Sequence, residues 1–236
     1  MKTFKLLLIS VMAALLVLIG GQARADYIDL LLSDTGGNFV HLSSNTGIVS
    51  YNGAVGPNFT INITSGITYP GLGTQSQPDL DLLSLNVNSS ANADTLFIAL
   101  SATGYTGTIG TNTLNHSAGG TAQGNVNSIE FQAWYGAGNN FLTVPSEWLK
   151  ISTLGPFIGP FPISTHFGDT VSSTFDLTAS PFALGIISIL ATSGSSNVSY
   201  NSELTMGKVP EPISLILLGS GLAGVGLYRR LRKPKG

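Results

Sequence analysis

Short runs of alternating apolar and polar residues recur through the middle of the chain and predict β-strands. Phe59–Thr64 alternates in this way, and so does Ile129–Tyr135, which places Phe131 and Tyr135 on one face. Ala183–Thr192 is more continuously apolar, as expected for a central strand with both faces covered. No segment between residues 26 and 208 keeps the 3.6-residue period of an amphipathic helix, so this part of the chain is predicted to be β-rich.

Further strands and turns complete the predicted architecture. Strands are expected at Tyr27–Leu32, Asn38–Leu42, Leu80–Val87, Thr95–Thr103, Val171–Thr178 and Asn197–Thr205. Leu80–Val87 and Thr95–Thr103 are expected to pair through the polar loop Asn88–Asp94. About nine strands with frequent turn residues favour a single antiparallel β-sandwich or jelly-roll-like domain over residues 26–208.

Two turn-rich segments are expected to lie outside the regular strands. Gly104–Asn125 has six glycines and no apolar run, so it is expected to form a long loop or irregular edge strands. Gly155–Pro162 repeats Gly-Pro-Phe, and proline removes a ladder donor, so this segment is not expected to be a strand. It is expected to cap one end of the sandwich, with a contact loop as the alternative.

The N-terminus has the pattern of a secretory signal peptide. Lys2 and Lys5 precede Leu6–Ile19, an apolar run of 14 residues that is short for a membrane span. Ala23 and Ala25 then form the small-residue cleavage site, so residues 1–25 are predicted to be removed. An uncleaved membrane anchor is the alternative.

The C-terminus, residues 209–236, predicts a membrane helix. From Pro212 to Tyr228 there are 17 uncharged and mostly apolar residues, the lower limit for a helical span. Pro210 and Pro212 would end this helix on its outer side. The basic residues that follow place the tail in the cytoplasm and the body outside. They are Arg229, Arg230, Arg232, Lys233 and Lys235.

The segment Gly219–Gly224 matches the glycine pattern of dinucleotide-binding folds, GxGxxG. That fold needs a βαβ unit and an acidic residue some 20 positions further on, whereas only 12 residues follow and none is acidic. Small residues that let membrane helices approach closely explain these glycines better. No dinucleotide cofactor is therefore expected.

Together these features resemble the PEP-CTERM sorting domain of exosortase-processed bacterial proteins. The resemblance rests on Pro210, Glu211 and Pro212, then the apolar helix, then the basic cluster. It implies a membrane protease, the exosortase, as a partner that recognises this motif and removes the tail. It also implies a Gram-negative-type bacterium that makes extracellular polysaccharide. A plain membrane anchor that is never cut is the alternative.

The same resemblance implies a route for the chain. An intermediate anchored in the inner membrane precedes delivery to the cell surface or extracellular matrix. Within the body, the segments 51–71, 78–90 and 95–107 are similar to a widespread group of small uncharacterised exported β-proteins. That similarity supports the β fold and implies no activity.

Composition excludes several classes of function. The chain has no cysteine, so disulfides, thiolate metal sites and a cysteine nucleophile are excluded. Residues 26–208 contain two lysines and eleven acidic residues, a net charge of −9. Because phosphate binding needs clustered bases, nucleic acid is not an expected partner.

Candidate catalytic and metal-binding residues are sparse. His41, His116 and His166 each stand alone and are expected at surfaces or turns, so no metal site is predicted. Asp79 and Asp81 suit either a calcium or catalytic pair or, as the simpler interpretation, outward positions beside a turn.

The two remaining candidates for acid–base chemistry are glutamates. Glu130 and Glu147 could form a glycosidase pair, although Glu130 fits the exposed face of its strand. No cofactor and no catalytic residue are therefore predicted.

The aromatic residues give the remaining hint of function. Trp134 falls on the polar face of its strand, and Trp148 lies near Lys150. Exposed indoles stack on sugar rings, so both are candidate glycan contacts, with ordinary packing as the alternative. The favoured prediction is an exported, non-enzymatic protein associated with exopolysaccharide or the biofilm matrix. A carbohydrate-binding module is the second prediction, and a glycan-active hydrolase is the third.

Overall fold

The computed structural model describes residues 27–140 and 148–208. They form ten strands: β1 Ile28–Asp34, β2 Phe39–Ser44, β3 Ile48–Val55, β4 Phe59–Ile67, β5 Asp79–Ser89, β6 Asp94–Tyr105, β7 Gly110–Gly136, β8 Leu149–Ile158, β9 Phe161–Leu177 and β10 Phe182–Lys208. Within these ranges no helix is long and apolar enough to cross a membrane. The predicted signal peptide, the C-terminal tail and Glu147 lie outside the described residues.

All strand pairs are antiparallel, and they build two six-stranded layers. The first sheet has the order β2-β1-β6-β10-β7-β8 and uses residues 182–192 of β10 and 126–136 of β7. The second sheet has the order β3-β4-β5-β10-β7-β9 and uses residues 196–208 of β10 and 110–124 of β7. The predicted antiparallel β-sandwich is confirmed.

Two 27-residue strands, β7 and β10, pass through both sheets and join them. They pair with each other in both halves, and their register shifts between Thr192 and Ser196. Gly124 lies at the same bend with a φ of +94°, where an added Cβ would lie 2.4 Å from the Ser195 carbonyl oxygen. A glycine therefore allows the two backbones to turn together at this corner.

The core lies between the sheets and follows the period-2 alternation of the strands. In β1 the side chains of Ile28, Leu30 and Leu32 face the core, and in β7 those of Phe131 and Tyr135 do so. Full burial of such side chains contributes about 1.5–3 kcal/mol each relative to exposure. The alternation predicted for Ile129–Tyr135 is thus confirmed.

The sandwich has two ends, which we call the near end and the far end. The near end is where β1 begins and β10 finishes, at Ile28 and Lys208. The connections from β2 to β3, from β6 to β7 and from β9 to β10 span only three or four residues and close this end. A hydrogen bond between the hydroxyls of Thr68 and Tyr105 also joins the layers here. At the far end, Asn58 donates to Asp94 at 2.8 Å.

The predicted hairpin between Leu80–Val87 and Thr95–Thr103 is wrong, although both strands exist. These strands, β5 and β6, lie in different sheets and pair with different halves of β10. The loop between them crosses the far end instead of closing a hairpin. Ala183–Thr192 is a central strand as predicted, because β6 and β7 flank it.

The prediction for Gly104–Asn125 is also wrong. Most of this segment forms the first half of β7, which lies between β9 and β10. Apart from Leu114, its inward positions are small or polar, such as Ala118, Ala122 and His116, so the apolar signal of a strand is weak. The flanking strands β9 and β10 nevertheless supply its backbone hydrogen bonds.

The Gly-Pro-Phe segment was not expected to be a strand, but it ends β8 and starts β9. It carries the chain from the first sheet to the second at the far end, beside the bend of β7. The side chain of Phe161 is buried and Phe157 packs against the core. Proline is tolerated in this segment because β8 and β9 are edge strands, each of which pairs on one side only.

Candidate functional site

The outer face of the first sheet carries three polar and aromatic side chains at successive outward positions of β7. Gln132 donates its side-chain amide to a Glu130 carboxylate oxygen at 2.5 Å. The Trp134 indole Nε1 donates to the Gln132 side-chain oxygen at 3.2 Å. The amide thus links a carboxylate to an indole and fixes the orientation of all three.

Apolar side chains lie beside this polar row. Ile187 of β10 lies between Ala99 of β6 and Gln132, while Ile189 lies between Phe97 and Glu130. The side chains of Phe97, Ala99, Ile187 and Ile189 are half-buried although they point away from the core. We call this surface the outer patch. It consists of Phe97, Ala99, Glu130, Gln132, Trp134, Ile187 and Ile189.

Trp148 lies on the same outer face but is only 7% exposed. It packs with Ala183, and the partly buried Ala99, Trp134 and Ile187 join this cluster. Gly136 lies under the indole, since a Cβ added there would be 2.8 Å from the ring. Trp148 therefore supports the patch and leaves Trp134 as the indole with an accessible surface.

Acidic residues gather on the outer face of the second sheet, near the near end. Asp81 of β5 pairs in register with Glu203 of β10, and Asp79 is two residues away. Burial raises the pKa of Asp79 to about 6, and the charges of Glu203 and Asp81 add to this. Burial and Glu203 also raise the pKa of Asp81.

A cavity at the near end lies apart from this acidic group. A cavity of about 360 Å³ at the near end is lined by Ser76, Gln77, Met206 and Gly207, and neither Asp79 nor Glu203 lines it. Within residues 27–140 and 148–208, no group of three or more His, Asp or Glu side chains is arranged to hold a metal ion.

The three histidines have different surroundings. His41 is half-exposed, and its Nε2 lies 3.0 Å from a carboxylate oxygen of Asp29. His166 is exposed on β9, as predicted. The prediction of a surface position is wrong for His116, which is fully buried. The reason is that it occupies an inward position of β7.

Partners within the fold satisfy the buried His116. Its Nδ1 lies 3.0 Å from the Ser152 hydroxyl and its Nε2 lies 3.2 Å from the Ser202 hydroxyl. Burial lowers its pKa to about 4, because the charged form would lose its hydration. The sequence offered no signal for these contacts, since the two serines are distant in the chain.

Several solved structures are similar to this chain at a low level. One is a chain from a structure of carbohydrate-binding modules of the β-sandwich superfamily, with 13% identity, a TM-score of 0.31, and coverage of 75% of this chain and 70% of that chain. Another is the N-terminal cellulose-binding domain of the Cellulomonas fimi β-1,4-glucanase C, with 14% identity, a TM-score of 0.26, and coverage of 70% and 90%. A third is an infectious bursal disease virus structure, with 7% identity, a TM-score of 0.29, and coverage of 78% and 52%.

The sorting motif directly follows the folded body. The last strand, β10, ends at Lys208, one residue before Val209 and two before Pro210. Residues 208–233 match the family model of the PEP-CTERM protein-sorting motif. No curated protein matches the chain. The motif implies export, an anchoring tail before processing, and sorting by an exosortase, so the chain carries a PEP-CTERM sorting motif after its folded body.

Proposed function

We propose that the body is a non-enzymatic component of the cell surface or extracellular matrix and associates with exopolysaccharide through the outer patch. The observation that carries this proposal is the row Glu130, Gln132 and Trp134 beside Ile187 and Phe97. It places hydrogen-bonding groups and an indole next to aliphatic surface on a sheet face.

The chemistry of this surface suits a sugar polymer. The CH-rich face of a pyranose packs on aromatic and aliphatic side chains, while hydroxyls bind amide and carboxylate groups. One accessible indole stacks on one sugar unit at a time, so each protein molecule binds the polymer weakly. Retention in a matrix then comes from many such contacts along a polymer and many copies of the protein.

Tryptophan fluorescence tests this proposal directly. Soluble exopolysaccharide from the producing cells, titrated into the full chain in detergent, should change the emission of Trp134. A Trp134→Phe variant should lose the response, whereas Trp148→Phe should keep it. A response that survives in Trp134→Phe, or no response from either protein, would exclude the outer patch as the contact.

A dedicated carbohydrate-binding module is the second candidate, favoured by the same indole. It predicts saturable binding of a defined oligosaccharide, whereas a matrix component predicts weak binding that grows with polymer length.

Incubation with the same polysaccharide should release no reducing ends. Their release at a rate that Glu130→Gln lowers would instead identify a hydrolase.

Processing and final location need a separate measurement. We expect exosortase to cut near Pro210–Pro212 and the mature chain to begin at Asp26. Mass spectrometry of both termini, from membranes and from culture medium, should find Asp26 first and no residues of the basic tail. An intact tail found only in membranes would instead mean a permanent anchor.

A further inference from the structure

We propose that the near end of the sandwich is a lipid-contact surface, on which the body rests while its tail is anchored. The first observation is that the chain enters and leaves the body at this one end. Tyr27 precedes β1 here, and β10 finishes here at Lys208. Both apolar ends of the precursor therefore connect to the same surface of the folded body.

The second observation is the short distance from the body to the predicted membrane helix. Four residues, 209–212, separate Lys208 from Ile213, where the apolar segment begins. Five fully extended steps span at most roughly 17 Å. The interfacial layer on one side of a bilayer is itself about 5–8 Å thick. The near end is thus held within reach of the headgroups.

The third observation is the apolar rim at this end, where each side chain is about half exposed or more. The rim consists of Tyr27 at 50%, Ile48 at 49%, Ile109 at 66% and Leu149 at 55%. Tyr27 directly precedes β1, Ile48 and Leu149 start β3 and β8, and Ile109 lies in the loop before β7. Tyrosine and large aliphatic side chains are the types that enter the interface of a membrane.

The charges at the near end indicate whether anionic headgroups or the apolar interface of the bilayer would hold the body. Lys150 and Lys208, the two lysines of the body, lie here, but so do Asp79 and Asp176. Because the charges oppose one another, attraction to anionic lipid is not the main source of binding. The apolar rim is the main source of binding, so the contact should form on neutral phosphatidylcholine and should persist at high salt.

Single-cysteine labelling can locate this contact, since the chain has no cysteine of its own. The full chain is reconstituted in phosphatidylcholine vesicles that carry nitroxide at the headgroup. A fluorophore is placed at Thr108→Cys, beside Ile109, or at Ser164→Cys, beside Ile163, which is slightly more exposed and lies near the far end. Quenching at Thr108 should exceed quenching at Ser164 by roughly twofold or more, because quenching requires lipid contact.

A spacer separates true docking from simple tethering. A flexible Gly/Ser insertion of about 20 residues after Lys208 adds roughly 25 Å of mean reach. Greater quenching at Thr108 should persist with this spacer, because the rim itself binds lipid. Equal quenching at the two labels would overturn the proposal. High salt or added phosphatidylglycerol should not change the quenching, and a strong dependence on either would overturn the apolar basis.

A matched pair of variants completes the test in the spacer chain. Ile109→Ser with Leu149→Ser should equalise quenching at the two labels. Phe39→Ser with Ile163→Ser, which alters residues that are more exposed and lie away from the near end, should leave the difference unchanged. If both pairs act alike, the rim is not the contact. The test involves no polysaccharide, so its failure is distinguishable from failure of the proposed matrix role.

Discussion

The Nδ1 atom of His116 lies 3.0 Å from the hydroxyl oxygen of Ser152 and joins the two sheets across the core. His116 belongs to the half of β7 in the second sheet, and Ser152 belongs to β8 in the first sheet. No helix or disulfide ties the layers together within the described residues. This polar contact therefore complements the apolar packing at the β8–β9 side of the sandwich.

Acid should destabilise the fold through His116. Its pKa is about 4 in the folded protein against 6.5 for an ordinary histidine, so the folded state favours the neutral ring. The stability from neutral His116 is present above pH 6.5 and is lost as pH falls towards 4. The loss at pH 4 is about 3 kcal/mol. Relative to the wild-type chain, His116→Gln should lose less stability, or gain more, when urea unfolding is moved from pH 7 to pH 4, whereas His166→Gln, at an exposed position, should match the wild-type chain.

Asp79 should act in the opposite direction over a similar range. Its folded pKa of about 6 exceeds the ordinary 3.8, so protonation favours folding, and stability falls as pH rises through 6. Asp79→Asn should raise the free energy of unfolding at pH 7 and have little effect at pH 4. Asp169→Asn, on an exposed part of β9, serves as the control. Equal stabilisation by Asp79→Asn at both pH values would contradict the raised pKa that burial, and then the charges of Glu203 and Asp81, give to Asp79.

Phe131 should be among the most costly core residues to truncate. It is fully buried, and the rings of Tyr200, Phe167 and Phe157 surround it at centroid distances of 5.0, 6.3 and 6.4 Å. Phe131→Ala leaves a cavity among these rings and should lower the free energy of unfolding by about 3–5 kcal/mol. Phe39→Ala, at an exposed position, should change it little. Similar losses for both variants would place Phe131 outside the core.

Gly136 should be required for the burial of Trp148. A Cβ at this position would lie 2.8 Å from the indole, closer than atoms pack, so Gly136→Ala should displace the ring. In a Trp134→Phe background, Trp148 emission should shift to the red and acrylamide should quench it more strongly. Gly207→Ala, where no atom lies within 4 Å of the added Cβ, provides the control. An unchanged spectrum in Gly136→Ala would mean that the indole does not rest on this glycine.

Local sequence patterns predict those parts of the fold in which the side chains reveal the strand. Ile129–Tyr135 and Ala183–Thr192 were predictable because apolar positions mark an inward face. The first half of β7 was not, because its inward positions include Ala118 and the buried His116. Its strand conformation depends on pairing with β9 and β10, which no local pattern reports.

Some residues of the candidate sites were likewise predictable from the local sequence, and others were not. The sorting motif is contiguous, so Pro210, Glu211 and Pro212 were recognisable from the sequence and match the family model. The outward position of Trp134 also followed from alternation along its strand. The burial of Trp148 did not, since it depends on the bare backbone of Gly136 and on Ala183 from another strand.

The placement of β10 has a mechanical consequence for a protein held by its last residues. A pull on the tail loads Lys208 along the axis of a strand that pairs with β5 on one side and β7 on the other. Force in that direction shears both ladders at once, so many backbone hydrogen bonds share the load and none can be peeled open singly. While the tail is anchored, the body would therefore resist being unravelled from its C-terminal end.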